Sequence, residues 1–414
     1  MFERNQFLQD LSAWIGFILI VIPFLPIFGF AMLGIVMIGL LVEKIESLVQ
    51  SSPAVIIICP TLTDFTAQLG HSHSLGWLSK AARLQSIQFG QDPYINGVPL
   101  PHNSAVFYGR ERELQGTLAE LRKPETPGNV SIIGERQIGK SSLLNQIYQA
   151  LATENQLVSI HTTTQNWSVD GQADFFTHLH QAITEALTIP IESPVMDYAH
   201  FQDFIRHYAD TYRFVLLIDE FDRMTRNDYF DEVFFRNLRA LGERPEYNFA
   251  YVLASYAPLC DICHQGDVQE SKFWNIFGTH YILGLLAEPE AKQLIVEPWQ
   301  RSLAADFSPL ADLFYYSGHH PALIQLLASE YWKAVYYGWD IDTDSLQPML
   351  REHYLDLWQN RSEAERQLLL KLAHYDNVPN NNTTLIALRQ RGLVNSQNRL
   401  FAPFFESILF DNEI

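Results

Sequence analysis

The sequence predicts an α/β protein whose parallel β-sheet is flanked by helices on both faces and carries a phosphate-binding loop. Three observations lead there. Gly134-Glu135-Arg136-Gln137-Ile138-Gly139-Lys140-Ser141 fits G-x-x-x-x-G-K-[ST] at every fixed position. Phe214-Val215-Leu216-Leu217-Ile218 is an unbroken apolar run ending in Asp219-Glu220, the pattern of a strand buried on both faces. Between and after these, β-prone runs alternate with helical periodicity, which implies crossover connections and parallel pairing.

Taken in chain order, the first element is an uncharged apolar run from Leu11 to Val42. About 20 such residues suffice to span a bilayer, and one straight helix of this length would exceed a hydrocarbon core of about 30 Å. Pro23 and Pro26 near its middle disfavour unbroken helix. The run therefore predicts a transmembrane helical hairpin over residues 1–50, returning both ends to one side of the cytoplasmic (inner) membrane with the nucleotide site in the cytoplasm. Residues 51–103 read as a linker region, with a short strand at Ala54–Cys59, a short helix at Leu75–Leu84 and a Pro-, Gly- and Asn-rich stretch at Asp92–Asn103.

The sheet follows. Val130–Ile133 is the strand before the loop, and Ser142-Leu143-Leu144 opens a helical pattern after it. Leu157–Thr163 alternates as a strand, and helical patterns cover Asp170–Leu187 and Asp197–Tyr212. Phe214–Ile218, Phe249–Ala254 and Tyr281–Leu286 supply three further strands. Ligands of open parallel sheets bind at the carboxyl ends of the strands, where Gly134, Asp219 and Ser255 fall.

The residue types specify the chemistry. Glycines let backbone N–H groups wrap a phosphate, and the following helix adds the positive end of its dipole. Gly134 to Ser142 would form that cradle, with Lys140 reaching the β- and γ-phosphates and the Ser141 hydroxyl on Mg²⁺. Asp219 would hold the same Mg²⁺, and Glu220 would act as general base toward the attacking water. The expected cofactors are ATP and Mg²⁺, with Lys140, Asp219 and Glu220 as the catalytic set.

Composition bounds the alternatives. Over 414 residues the chain is 47% hydrophobic and 18% charged, enough to bury the cores of two or three domains. Three cysteines argue against a disulfide-stapled fold. Twenty-eight Lys and Arg against 47 Asp and Glu give a net charge of −19, which repels phosphate backbones and makes nucleic acid an unlikely partner. Cys260-Asp261-Ile262-Cys263-His264 has haem-attachment spacing but follows a strand of the nucleotide-binding sheet, and chance explains it better. His71 and His73 lack further ligands for a metal.

With these motifs the chain resembles the STAND group of signalling ATPases, near AAA+ and origin-recognition-like P-loop proteins. The resemblance rests on Phe107-Tyr108-Gly109-Arg110-Glu111, Asp219-Glu220-Phe221-Asp222, Phe235-Arg236-Asn237-Leu238-Arg239, Phe273-Trp274-Asn275-Ile276-Phe277 and Gly318-His319-His320-Pro321. It implies an ATPase core at 104–286, a helical lid at 287–356 and a winged helix at 357–414, with helices near Glu363–His374 and Thr384–Arg391. It also implies that Tyr108, Gly109, Arg110 and Pro321 border the adenine, that Ser255 senses the γ-phosphate, and that the protein self-associates. Departing from the group, Ser255-Tyr256-Ala257-Pro258 carries no arginine after the fourth strand; Arg236 and Arg239 are the candidate fingers. The function implied is a membrane-anchored switch, hydrolysing ATP slowly, in signalling or conflict response with an unknown protein effector. The alternative is a DNA-associated ATPase of the origin-recognition or transposition-regulator type.

Overall fold

The computed structural model describes residues 78–163, 171–190, 195–262, 271–341 and 343–411. Five strands, β1 (Asn129–Gly134), β2 (Leu157–Thr163), β3 (Arg213–Asp219), β4 (Phe249–Ser255) and β5 (Phe277–Leu283), form one sheet in the order β2-β3-β4-β1-β5. All four pairings are parallel. The three central strands are the apolar runs of the sequence. The fifth starts before the expected Tyr281–Leu286 and ends at Leu283. It is an edge strand paired to β1 alone, and its exposed and half-buried positions break the apolar pattern.

Helices cover both faces. On one, Val130, Ile132, Val215, Leu217, Val252 and Ala254 pack with α2 (Glu111–Leu121) and α3 (Lys140–Leu151). On the other, the alternate residues Phe214, Leu216, Ile218, Tyr251 and Leu253 meet α4 (Gln172–Leu187), α5 (Tyr198–Tyr208) and α6 (Glu232–Glu243), an aromatic layer rich in Phe175, Phe176, Phe234 and Phe235. The two-residue period of a strand sends neighbouring side chains to opposite faces, so each strand feeds both layers.

The first layer continues into the C-terminal half. There α7 (Glu288–Leu303), α8 (Leu310–Ser317), α9 (Pro321–Tyr337), α10 (Thr343–Gln359), α11 (Glu363–Ala373), α12 (Thr383–Gln390) and α13 (Pro403–Phe410) follow one another. Val394 and Leu400 form an antiparallel bridge between α12 and α13. Ser362 caps α11 in a reciprocal box with Glu365, and Asn382 caps α12. The same core takes in residues of the stretch read as a linker: Tyr94 and Leu100 are buried, and the Tyr94 hydroxyl donates to Ile295 O at 2.5 Å. A short helix α1 (Lys80–Gln85) lies in that stretch.

One expectation is corrected. Among the described residues no helix is long and apolar enough to cross a membrane. The longest, α9 and α10, have 17 residues each, against the roughly 20 consecutive apolar residues a span requires. The run Leu11–Val42, on which the hairpin and the inner-membrane placement were expected, lies outside the described residues. That placement has nothing in the described structure to rest on.

Candidate functional site: the carboxyl edge of the sheet

The loop between β1 and α3 needs its glycines. A Cβ on Gly134 would stand 2.8 Å from Ile138 Cγ2 and 3.0 Å from Leu283 O, so only hydrogen fits between loop and edge strand. Gly139 has φ +102°, a conformation that L side chains rarely adopt, and no atom lies within 4 Å of where its Cβ would be. Gln137 (φ 59°) is also left-handed, and Ile138 is buried beneath the loop. This open, glycine-bounded turn at the start of a twelve-residue helix suits a phosphate. Lys140 Nζ donates to Gly134 O at 2.8 Å and to Glu135 O at 2.7 Å.

Strand order places β4 between β1 and β3 and brings Asp219, at the end of β3, to the same edge. Burial lowers the Lys140 ammonium below its ordinary value, and Asp219 is the largest charge opposing that, followed by Glu135 and Asp222. Cation and carboxylate thus share one site. Asp219 Oδ1 accepts from Glu220 N at 2.9 Å, and Glu220 sits in a left-handed turn (φ 52°) with its carboxylate 3.3 Å from Arg223 Nε. His161, on β2, is lowered by burial and raised by Asp219. The Asp219 carboxylate thus acts on both the Lys140 ammonium and the His161 ring, and Ser141 follows Lys140 in the first turn of α3. This donor set fits a nucleotide triphosphate with a divalent cation.

The other expected residues are held by contacts of their own. The Ser142 hydroxyl accepts from Leu100 N at 3.0 Å, inside the protein. Ser255 Oγ donates to Ala257 O at 2.7 Å. Tyr108 donates to Glu297 Oε2 at 2.8 Å, which with burial raises its phenol well above its ordinary range. Gly109 (φ 57°) packs on Glu290, whose carboxylate a Cβ would meet at 2.6 Å. Arg110 donates to Ile138 O at 3.3 Å and Gly284 O at 2.6 Å, bolting the phosphate loop to the end of β5. Pro321 is the first residue of α9, following Gly318 (φ 54°). Arg236 and Arg239 pair with Glu232 and Glu243 of their own helix at 3.2 Å and 3.0 Å.

The charged partners of the loop come from the far end of the chain. Arg136 Nη1 is 2.9 Å from Asp356 Oδ1. Glu135, its side chain 3% exposed, receives Arg361 Nη1 at 2.9 Å and Arg361 Nη2 on the second oxygen. Arg391 Nε stands 2.6 Å from the same carboxylate. Glu365 completes the cluster, 3.1 Å from Arg391 Nη1. Sequence reasoning missed Arg361 altogether and met Arg391 only as the last residue of an expected helix; no local pattern marks either.

Two family models match. One described as a novel STAND NTPase covers residues 192–366, and one described as an AAA domain covers residues 122–256. Over these residues the chain is similar to STAND and AAA+ P-loop NTPases. Among solved structures, the Walker-type ATPase PABY2304 of Pyrococcus abyssi is similar in fold, with a TM-score of 0.53 at 13% identity, covering 75% of this chain and 98% of that one. The ORC2 protein of Aeropyrum pernix, solved in ADPNP–ADP complexes, has a TM-score of 0.45 at 15% identity over 77% of this chain and 96% of its own. The ORC1 protein of the same organism, solved with DNA, has a TM-score of 0.41 at 12% identity over 75% of this chain and 94% of its own. None of the curated proteins compared with this NTPase matches it. The expected absence of a nucleic-acid partner has no support in these comparisons.

Proposed function

We propose that this STAND/AAA+-like NTPase is an ATP- and Mg²⁺-dependent conformational switch that hydrolyses ATP slowly. One observation carries the reading: the phosphate loop that meets Asp219 is ion-paired, through Glu135, to helices at the far end of the chain. Backbone N–H groups from Gly134 to Ser142 would hold the phosphates. Lys140 would leave the two loop carbonyls for the β- and γ-phosphate oxygens, which are stronger acceptors. Ser141 and Asp219 would hold Mg²⁺, which neutralises charge on the phosphates. Glu220 would orient and deprotonate the attacking water once released from Arg223.

In this reading residues 104–286 are the ATPase core, 287–356 a lid and 357–414 a winged helix that reports the nucleotide state. Tyr108, Gly109, Arg110 and Pro321 would border the base from behind the loop, and Ser255 would approach the γ-phosphate by turning its hydroxyl from Ala257 O. Self-association and an unknown protein effector in signalling or conflict response complete the proposal. Titration of the purified protein with a fluorescent ATP analogue and Mg²⁺ tests it: the wild type should bind saturably and Lys140→Ala should not. Equal affinity in that variant would overturn the site.

A further inference from the structure

We infer that Arg391 is a phosphate-contacting residue outside the two nucleotide motifs, and that Glu135 is its tethered competitor, a carboxylate that occupies the arginine until a nucleotide phosphate takes its place. The inference rests on the nucleotide-binding reading above and names how that site is regulated.

The first observation is placement. Arg391 stands at the end of α12, and its guanidinium reaches Tyr256 O at 3.3 Å, one residue beyond β4, while its Nε faces the first residue of the phosphate loop after Gly134. It therefore lies over the carboxyl edge of the sheet between β4 and β1. It is also near enough to Lys140 to disfavour the charge on that ammonium. Two cations held at one strand edge repel each other unless an anion lies between them.

The second is the asymmetry of the cluster. Arg361 has a side chain 1% exposed and grips both oxygens of Glu135, so it is a fixed structural partner. Arg391 is 15% exposed, holds one Glu135 oxygen through Nε and shares Glu365 at 3.1 Å. A carboxylate that already has a bidentate arginine can release the second one without being stranded. Arg361 without Glu135 would be a buried charge left with Glu365 alone, at 3.7 Å.

The third is covalent geometry. Glu135 offers its carboxylate to Arg391 and its own carbonyl oxygen to Lys140. One loop residue thus engages both cations that a terminal phosphate would attract. Phosphate oxygens form stronger charge-assisted bonds to arginine than a shared carboxylate does. When Lys140 turns to the phosphate, Arg391 follows, and α12 moves with it while Arg361 keeps α11 on the loop.

Affinities for Mg²⁺ with fluorescent ATP and ADP analogues, measured on the full chain, provide the test. Arg391→Gln should weaken ATP roughly 10-fold or more, the scale of one lost charge-assisted contact, and ADP by less than about 3-fold. Glu135→Gln should tighten ATP relative to ADP by a few-fold, and adding Arg391→Gln to it should cancel that gain. Thermal melting reports whether each variant is folded; should Arg391→Gln fail to fold, Arg391→Lys and the Glu135→Gln arm give the same discrimination. Equal loss of ATP and ADP in Arg391→Gln, or no ATP-selective gain in Glu135→Gln, overturns the role of Arg391 alone. Wild-type protein that binds neither nucleotide, or binds both as well with Lys140→Ala, overturns the underlying reading and this inference with it.

Discussion

The loops that leave β1 and β3 reach the same edge of the sheet, yet they are held in opposite ways. The loop after β1 is fastened to distant chain: Arg110 binds Ile138 O, and Arg361 and Arg391 bind Glu135 across buried ion pairs. The turn after β3 carries local polar contacts, Glu220 N to Asp219 and the partly exposed Glu220–Arg223 pair, and is anchored by apolar packing of the buried Phe221 ring on Phe235 and Phe273. Buried charge clusters are costly to break, whereas exposed pairs contribute little. The contrast assigns rigidity and long-range coupling to the phosphate loop and freedom of adjustment to the carboxylates that would manage metal and water.

Four variants can break or sharpen that contrast. The largest effect is expected from Glu220→Gln, which should slow ATP hydrolysis by roughly 10²–10⁴-fold while nucleotide affinity and melting stay near wild type. A steady-state phosphate-release assay alongside a binding titration separates the two. Arg361→Met comes next. It strands Glu135 against Arg391 alone in the interior and should cost about 3–5 kcal/mol in denaturant unfolding. A loss under about 1 kcal/mol would mean the cluster is not what holds the loop.

The third concerns pH. His320 is buried between α10 and the phosphate loop, where burial pushes its imidazole down to about 3, with His353 adding to the effect, the Arg136 backbone opposing it, and Arg110 and Lys140 adding smaller repulsions. The unfolded chain takes up this proton near pH 6.5, the folded one not until about 3. Stability is then complete above about pH 6.5 and falls as pH drops through that window, by at most about 1.4 kcal/mol per pH unit. Unfolding of His320→Gln should show a correspondingly flatter acid limb. The smallest effect belongs to Arg223→Ala, whose side chain is 52% exposed: a change in stability of no more than about 1 kcal/mol.

How much was legible in the sequence follows the range of the interactions. Three strands could be read because burial on both faces forces continuous apolar runs, and β2 because its half-buried face makes Leu157–Thr163 alternate. The fifth was displaced because Gly278, His280 and Ile282 face outward from an edge. Gly134, Lys140 and Asp219 could be proposed because the chemistry demands fixed spacing or a strand terminus. Ser142 and Ser255 could be proposed from position alone, and the sequence carries no sign that their hydroxyls meet Leu100 N and Ala257 O. Arg361 and Arg391 were invisible for a physical reason: a buried ion pair between segments far apart leaves no periodicity and no motif.

The Glu135–Arg361 contact joins residues 226 positions apart. At about 5–20 residues per second, a ribosome needs roughly 10–45 s to deliver the arginine after the glutamate has emerged. During that interval the nascent β1 turn exists without its fastening. A chain ending before Arg361 would lack both arginines that fasten Glu135, together with the part of the shared core that α11, α12 and α13 supply.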